Sequence, residues 1–199
     1  MLINAIFIII FSYLIGSFPT AFIISKLFKI GDIRNQGSGN IGATNVLRVG
    51  NKKIAFLVLL IDVMKGYLTL IILQNYLLLI DLEIYIYIFG SFVIFGHIFP
   101  IWLKFKGGKG VATYIGYLLA FNAPLFFLFI IIWLFIAIFK RYSSLASIIS
   151  LISLPLFMII FSYKINHIYL ISIISIIIIL KHYSNILRLF NKTESKIKL

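Results

Sequence analysis

The chain contains no cysteine among its 199 residues. Disulfide bonds, thiolate nucleophiles and zinc sites built on sulfur are therefore excluded. Charged residues are also scarce, at 12% of the chain, whereas hydrophobic residues make up 62% of it. Because a soluble domain carries roughly 25–35% charged residues on its surface, this composition predicts an integral membrane protein, with one membrane domain over residues 1–199.

Acidic residues are the scarcest charged type. Five Asp and Glu stand against 18 Lys and Arg, which gives a net charge of +13. The few scattered carboxylates and three distant histidines predict no metal site. The basic residues lie in short loops rather than on one solvated face, which argues against nucleic acid as a partner. We expect them to orient the helices and to contact membrane lipids and an anionic substrate.

Long apolar runs predict an all-α, polytopic fold with about seven transmembrane helices. The first run, residues 2–24, has no Lys, Arg, Asp or Glu and is long enough to cross about 30 Å of hydrocarbon as one helix. The other six runs are predicted at residues 54–73, 84–103, 111–121, 125–139, 145–161 and 167–180. Three of them, 111–121, 125–139 and 167–180, are short for a span, so five crossings stay an alternative.

The distribution of positive charge predicts the orientation. With seven crossings and the amino terminus outside, every Lys and Arg except Lys65 and Lys164 falls on the cytoplasmic side. Such an excess in short loops marks the cytoplasmic face of a membrane protein. The carboxyl terminus is then cytoplasmic as well.

The first polar segment, loop 1, covers residues 31–53 and reads GDIRNQGSGNIGATNVLRVGNKK. Its glycines allow a sharp turn that offers consecutive backbone N–H groups to an anion, and Arg48 could add a forked contact to a phosphate. The alternative is a structural turn with ordinary cytoplasmic charge. We predict a phosphate cradle whose binding residues are Gly37, Gly39, Asn40, Thr44 and Asn45.

A second glycine-rich segment, loop 2, covers residues 104–110 and reads KFKGGKG. It directly precedes the apolar run 111–121, so free N–H groups at a helix start and the ammonium groups of Lys106 and Lys109 would converge. Gly107, Gly108 and Gly110 are the predicted phosphate-binding glycines. The spacing of a nucleotide-binding P-loop is absent and no strand precedes it. A basic interfacial turn is the alternative.

Further polar residues interrupt the apolar runs. Asp62 and Lys65 stand three apart on one helical face, and because a charge at membrane depth costs about 3 kcal/mol, we predict a structural ion pair. Ser144 and Ser147 follow a pair of cations and could bind substrate or only cap a helix. Asn185 lies in the basic tail.

Five ordered motifs give the chain a resemblance to a known family, the acyl-phosphate-dependent glycerol-3-phosphate acyltransferases of bacterial membranes. They run from loop 1 to the tail in the order expected of that family. The motifs are SGNIGATNVLR at 38–48, DxxKG at 62–66, GHxxP at 96–100 with GGKGVAT at 107–113, RYxSLAS at 141–147 and NIxRL at 185–189.

The resemblance implies a multi-pass enzyme of the bacterial inner membrane with its active site on the cytoplasmic side and no cofactor. It would transfer a fatty acyl group from acyl phosphate to the 1-hydroxyl of glycerol 3-phosphate, giving lysophosphatidic acid and phosphate. A functional link to the enzyme that makes acyl phosphate follows. The implied catalytic residues are Ser38, Arg48, Lys106 or Lys109, Ser144 or Ser147, and Asn185, with His97 close by.

The tail departs from the family pattern. The family tends to carry His-Arg-Glu before the Asn and a Gly before Thr-Glu, whereas here His182-Tyr183-Ser184 precedes Asn185 and Lys192 precedes Thr193. That departure leaves Glu194 a weak candidate.

Two other functions stay open from the sequence. A transporter of a phosphorylated or anionic solute would also collect glycines and cations, but it should have broken helices and polar groups near the membrane midplane. A non-enzymatic scaffold would not need two phosphate-binding loops. An acyl phosphate is already activated, so an enzyme needs positioning and charge stabilisation rather than a covalent nucleophile.

Overall fold

A computed structural model describes residues 2–49, 51–76 and 83–197 of the chain. Every regular element in those ranges is a helix, which confirms the all-α prediction. The chain divides into two compact units, Met1–Phe121 and Asn122–Leu199, where the sequence predicts one domain. The helices of the first unit are α1 (Leu2–Ser17), α2 (Thr20–Leu27), α3 (Ala43–Val49), α4 (Lys52–Tyr76), α5 (Glu83–Ile98) and α6 (Val111–Phe121). Those of the second are α7 (Ala123–Lys140), α8 (Ser143–Ile160), α9 (Ile165–Leu180) and α10 (Tyr183–Phe190).

Helix length and composition make the protein a multi-pass membrane protein. Within the described ranges, five segments are long and apolar enough to cross a membrane, and α9 with α10, bent by 61°, would make a sixth. With 11 residues, α6 is shorter than these segments. The predicted count of about seven, and the predicted side of each terminus, stay predictions.

The first apolar run is not the single helix that its composition predicts. One helix ends at Ser17 and the next begins at Thr20, so Phe18 and Pro19 form a break. Proline has no N–H to donate and disfavours helical geometry in the residue before it. The prediction of one uninterrupted helix was therefore wrong at Pro19.

Glycines allow two pairs of helices in the first unit to cross with their backbones in contact. A Cβ atom added to any of these glycines would collide with a backbone carbonyl group of the facing helix, which is typical of close helix packing in membranes. The facing pairs are Gly16 with Val93 and Gly96 with Tyr13 between α1 and α5, and Gly66 with Thr113 and Gly116 with Val63 between α4 and α6. The second crossing fixes the start of α6, and hence the end of loop 2, beside the turn of α4 that carries Lys65.

Loop 1 is anchored by its own apolar residues. Ile33 and Val46 are fully buried, and Ile41 is nearly so, in a cluster that includes Val58 of α4. Burial of a large aliphatic side chain contributes about 1.5–3 kcal/mol. The polar residues of loop 1 therefore project from a packed base.

Clear start and stop signals bound the first helix of the second unit. Asn122 caps α7 by accepting the Leu125 N–H with its side-chain oxygen at 3.1 Å. The helix ends at Lys140, and the residue that caps it, Arg141, has a left-handed φ of 62°. α8 begins two residues later, and Ser144 lies in its first turn.

Candidate active site

The predicted ion pair of α4 is joined by a third group in the structure. The Lys65 Nζ lies 2.9 Å from Asp62 Oδ1, and His97, near the end of α5, places its Nδ1 3.6 Å from the same oxygen. Asp62 is 1% exposed and Lys65 7%. The Lys65 ammonium also donates to the Phe18 carbonyl oxygen at 3.3 Å. That carbonyl belongs to the break between α1 and α2, so the cluster joins three helical segments.

A cavity of about 10 Å³ adjoins this cluster and has room for about one water molecule. Asp62 and His97 line it, and so does Thr20, whose buried hydroxyl has no hydrogen-bond partner among the described residues. Loop 1 contributes Ile41 to the wall, and loop 2 contributes its paired glycines. The two glycine loops, separated by 50 residues in sequence, therefore meet at the His97 end of α5.

Gly107 and Gly108 permit this meeting by lacking a side chain. A Cβ on Gly108 would collide with His97 Nε2 and lie 2.8 Å from the Ile41 carbonyl oxygen. The Gly107 N–H donates to the Ile98 carbonyl at 3.2 Å and the Gly108 N–H to the His97 carbonyl at 3.1 Å, so both cap the end of α5. In the structure these two amides cap α5 and allow close packing, and their contact with phosphate stays a prediction.

Loop 2 has accessible lysines and several residues with left-handed backbone conformations. Lys106 is exposed and Lys109 half-buried. Lys104 and Phe105 have φ values of 52° and 61°, a region that side-chain-bearing residues rarely occupy and that tends to cluster at functional sites. Gly110, with φ of 90°, forms the turn into α6.

Asn45 holds loop 1 in shape. It is 1% exposed, and its Oδ1 accepts both the backbone N–H and the hydroxyl of Ser38, at 2.7 and 3.1 Å. Its Nδ2 donates to the carbonyl oxygens of Ile33 and Gln36, at 3.1 and 2.9 Å. An amide side chain offers two donor hydrogens and two acceptor lone pairs, and all four are engaged here. The structure therefore gives Asn45 a scaffolding role in loop 1, and its contact with phosphate stays a prediction.

The turn that Asn45 stabilises lies next to Arg48. Gly37 and Gly39 have φ of 59° and 69°, which only glycine adopts easily. A Cβ on Gly37 would collide with the Asn45 side chain and lie 3.8 Å from Arg48 Cβ. Asn40, Thr44 and Arg48 are half-buried and Ser38 is exposed. The predicted members of this cradle are thus contiguous, around one glycine turn.

The second unit brings together two further predicted residues around a carboxylate. Glu194 is 6% exposed. Its Oε1 accepts the Ser144 hydroxyl at 2.9 Å and the Asn185 amide at 2.8 Å, and its Oε2 accepts Arg188 Nε at 2.7 Å. Burial raises the pKa of the Glu194 carboxyl, but the hydrogen bonds from Arg188, Asn185 and Ser144 together outweigh it, so the net pKa is lowered.

Sequence reasoning underrated Glu194 because the residues before it depart from the family pattern. The signal that could have found it is the scarcity of acids, since a carboxylate in so basic a tail is expected to have cationic neighbours.

Ser147 lies apart from this cluster. Its hydroxyl donates to the Ser143 carbonyl at 3.0 Å and accepts Trp133 Nε1 at 3.1 Å, within the packing of α7 and α8.

Chemically, the first unit offers an anion-binding surface with a buried imidazole behind it. Arg48, Lys106 and Lys109 supply positive charge, and the Asp62–Lys65 pair neutralises itself. Among the described residues, no three His, Asp or Glu side chains form a group that could hold a metal ion. The arrangement suits the binding of phosphorylated molecules and the stabilisation of negative charge.

Known proteins are similar to this chain over most of its length. A family model described as "Glycerol-3-phosphate acyltransferase" matches residues 6–192. Glycerol-3-phosphate acyltransferases of Bartonella quintana and of Anaplasma marginale (strain Florida) are 49% and 46% identical to the chain. The first match covers 96% of this chain and 90% of the relative, and the second covers 94% and 91%.

Two solved structures have the same fold. One is the glycerol 3-phosphate form of PlsY (YgiH), an integral membrane glycerol 3-phosphate acyltransferase, with a TM-score of 0.90 and 38% identity over 98% of this chain and 96% of that one. The other is its lysophosphatidic acid form, with a TM-score of 0.87 and 36% identity over 97% and 95%. Sequence, fold and the order of the motifs agree, and the chain therefore belongs to the glycerol-3-phosphate acyltransferase family.

Proposed function

We propose that the protein transfers a fatty acyl group from acyl phosphate to the 1-hydroxyl of glycerol 3-phosphate and releases lysophosphatidic acid and inorganic phosphate. Family membership supports the acyltransferase activity and the acceptor, because the related structures carry glycerol 3-phosphate and lysophosphatidic acid in their names. The acyl-phosphate donor is the finer part of the proposal.

The observation that carries the donor assignment is the meeting of loops 1 and 2 beside His97. A reaction between two phosphorylated molecules needs two anion-binding segments close enough to share a reaction centre. Arg48 belongs to one segment, and Lys106 and Lys109 to the other. With a thioester donor, glycerol 3-phosphate would be the substrate whose phosphate lies near the reaction centre. Only one of the two loops would then need to bind phosphate there.

In the proposed reaction, the 1-hydroxyl oxygen attacks the acyl carbonyl carbon and the bond from that carbon to the phosphate oxygen breaks. The hydroxyl proton goes to a bound phosphate or to His97, and the bond electrons leave with the phosphate. Cations of the two loops stabilise the charge that develops on the carbonyl oxygen and on the departing phosphate. Ser38, Ser144 and Asn185 remain proposed site residues.

The assay that tests the proposal uses the full chain in lipid nanodiscs, with palmitoyl phosphate and glycerol 3-phosphate. We expect phosphate release that requires both substrates, with lysophosphatidic acid formed in equal amount. Palmitoyl coenzyme A in place of palmitoyl phosphate is the matched donor control and should give no product. Product from the thioester alone would overturn the donor assignment and leave the acyltransferase activity standing.

A His97→Ala variant separates the two proton acceptors. If the imidazole accepts the proton, kcat should fall by at least about a hundredfold, the lower end of the effect of a general base. Retention of most of kcat would assign the proton to the bound phosphate.

Transport of a phosphorylated solute is the second candidate, because the first span is broken at Phe18–Pro19 and buried charges adjoin the break. Broken helices beside polar groups are typical of transporters. In sealed proteoliposomes, uptake of glycerol 3-phosphate without acyl transfer would favour transport, whereas turnover without net flux would favour the enzyme.

We further propose that the site faces the cytoplasm from the inner membrane of a bacterium, where it would receive acyl phosphate from the enzyme that makes it. The concentration of Lys and Arg in the loops supports this orientation.

A further inference from the structure

The proposed reaction uses the loops and His97 but leaves Asp62 and Lys65 without a chemical role. Both are buried in α4. A buried ion pair rarely stabilises a protein more than well-packed apolar residues would, and charges inside a membrane span are most often functional. The location of this pair, against the one histidine that adjoins both glycine loops, calls for a further explanation.

The Asp62 carboxylate is held in place by Lys65. Lys65 Nζ lies 2.9 Å from its Oδ1 and donates to the Phe18 carbonyl at the helix break. The ammonium therefore ties the carboxylate to the backbone of the first span at the Phe18 carbonyl, which also accepts the Thr20 N–H at 2.9 Å. Asp62 is thus held by an anchor whose hydrogen bonds and ion pairs, within the described part of the chain, reach neither loop 1 nor loop 2.

The His97 imidazole lies between this carboxylate and loop 2. Its Nδ1 faces Asp62 and its Nε2 faces Gly108. A carboxylate beside one ring nitrogen favours the tautomer with the proton on that nitrogen, which leaves a lone pair on the other. The 3.6 Å separation is longer than a hydrogen bond, and such contacts are often long without substrate and tighten when it binds.

We infer that Asp62 is a positioning residue for His97 in acyl transfer, and that Lys65 in turn positions Asp62. The carboxylate holds the proton on Nδ1, so Nε2 presents a lone pair at the place where the two loops meet. The role is geometric: neither residue touches the substrates. The inference rests on the proposed acyltransferase function and goes beyond the structural ion pair that the sequence predicts.

Four variants separate positioning from a purely structural role. They are Asp62→Asn, Lys65→Met, the Asp62→Asn/Lys65→Met double variant, and the control Thr69→Val. Thr69 is buried one turn further along α4, and its hydroxyl donates to the Lys65 carbonyl of its own helix at 2.7 Å. For each, the thermal unfolding midpoint in nanodiscs and the kcat and KM for both substrates are measured.

We expect Asp62→Asn to lower kcat at least about tenfold, with less than about threefold change in either KM, because an amide can donate as well as accept and no longer selects one tautomer. The double variant, which removes both buried charges, should regain the wild-type unfolding midpoint but not kcat. Thr69→Val should keep kcat. Recovery of kcat in the stable double variant would overturn the inference.

The ring itself gives an independent reading. The chain has three histidines, His97, His167 and His182, so ¹⁵N-histidine labelling gives few signals, and a His97→Gln sample assigns that of His97. The wild-type signal should show the proton on Nδ1, and Asp62→Asn should shift it towards a mixture of tautomers. An unchanged His97 tautomer in folded Asp62→Asn or in the folded double variant would also overturn the inference.

The two proposals fail in different ways. If the wild-type protein releases no phosphate from the two substrates, the proposed function is wrong, and the tautomer measurement still tests the Asp62–His97 contact. If the wild-type protein is active and every folded variant keeps kcat within about twofold, the proposed function stands and the positioning role is refuted.

Discussion

Arg48 is the residue through which loop 1 would bind phosphate, since it lies beside the glycine turn and carries a forked guanidinium. We expect Arg48→Ala to raise the KM for one phosphorylated substrate about tenfold or more, the loss of one charge-assisted hydrogen bond. Arg34→Ala is the matched control. Arg34 belongs to the same loop but is already paired with Asp32, at 2.6 Å. Unchanged kinetics in Arg48→Ala would remove Arg48 from the site.

Asn45, in contrast to Arg48, is a buried amide whose hydrogen bonds go to other residues of loop 1. An Asn45→Asp substitution keeps its shape but turns two donor hydrogens into an oxygen that faces the carbonyls of Ile33 and Gln36. We expect the free energy of unfolding to fall by about 3 kcal/mol, because two buried acceptors lose their donor. Asn35→Asp, at an exposed position of loop 1, should change it by less than about 0.5 kcal/mol. Equal effects in chemical denaturation would contradict the scaffolding role.

Glu194 makes stability depend on pH. Its pKa in the folded protein lies below the ordinary value of 4.5, so its stabilising contribution is complete above that value and is lost as the pH falls through the lower, folded pKa. The unfolding midpoint of the wild-type protein should therefore decrease in the acid range. Glu194→Gln should be less stable than wild type at neutral pH, since its amide would face the Arg188 donor, and should lose part of the acid dependence. Parallel curves for the two proteins would contradict this account.

These residues also show where sequence reasoning stops. Ser38, Arg48 and the glycines could be found because they crowd into one polar stretch of an apolar chain. The contacts of Asp62 with His97 and of Glu194 with Ser144 could not be found, since the partners lie 35 and 50 positions apart. Such contacts depend on tertiary packing rather than on local pattern. The burial of His182, whose Nδ1 lies 2.8 Å from the Ile178 carbonyl oxygen, likewise depends on packing.

At the scale of helices, the crossing of α4 and α6 depends on glycine. Gly66→Ala would place a Cβ against the Thr113 carbonyl. We therefore expect the free energy of unfolding to fall by about 1–3 kcal/mol or α6 to be displaced. Gly90→Ala is the matched control, because its Cβ would meet only the ends of the Leu70 and Leu73 side chains, at 2.8 and 3.5 Å, together with a ring atom of Tyr117. Thermal unfolding in nanodiscs should show a lower midpoint for the first and a small change for the second. Equal midpoints would mean that the two helices can separate without cost.

The apolar runs predicted most helix positions well, since α6 begins at Val111 and α4 covers the whole of the predicted run 54–73. The break at Pro19 was available in the sequence, because a proline disfavours helical geometry in the residue before it. The first run is apolar on all sides and therefore shows no helical periodicity. A break in the helix consequently leaves no visible change in its pattern.

For the whole molecule, orientation in the membrane is the main prediction, and the lack of cysteine makes it easy to measure. Single cysteines at Asn35, Lys104 and Lys164, all exposed, can be labelled with a maleimide that does not cross membranes. In spheroplasts, Lys164→Cys should react at once, whereas Asn35→Cys and Lys104→Cys should react only after permeabilisation. Labelling of loops 1 and 2 from opposite sides would rule out a shared reaction centre and, with it, the proposed function.

The local pairing of acids has a consequence for the behaviour of the protein in salt. Each acid whose side chain the structure describes is matched with a cation two to six positions away, Asp32 with Arg34, Asp62 with Lys65 and Glu194 with Arg188. Hydrogen bonds from Arg34 lower the pKa of Asp32 to about 2, so even the exposed pair persists into acid. The described acids are thus paired with nearby cations. The remaining basic residues bind anions from outside the protein, so lipid head groups, dissolved ions and substrate compete for them. Raising the ionic strength should therefore weaken substrate capture far more than it weakens the fold.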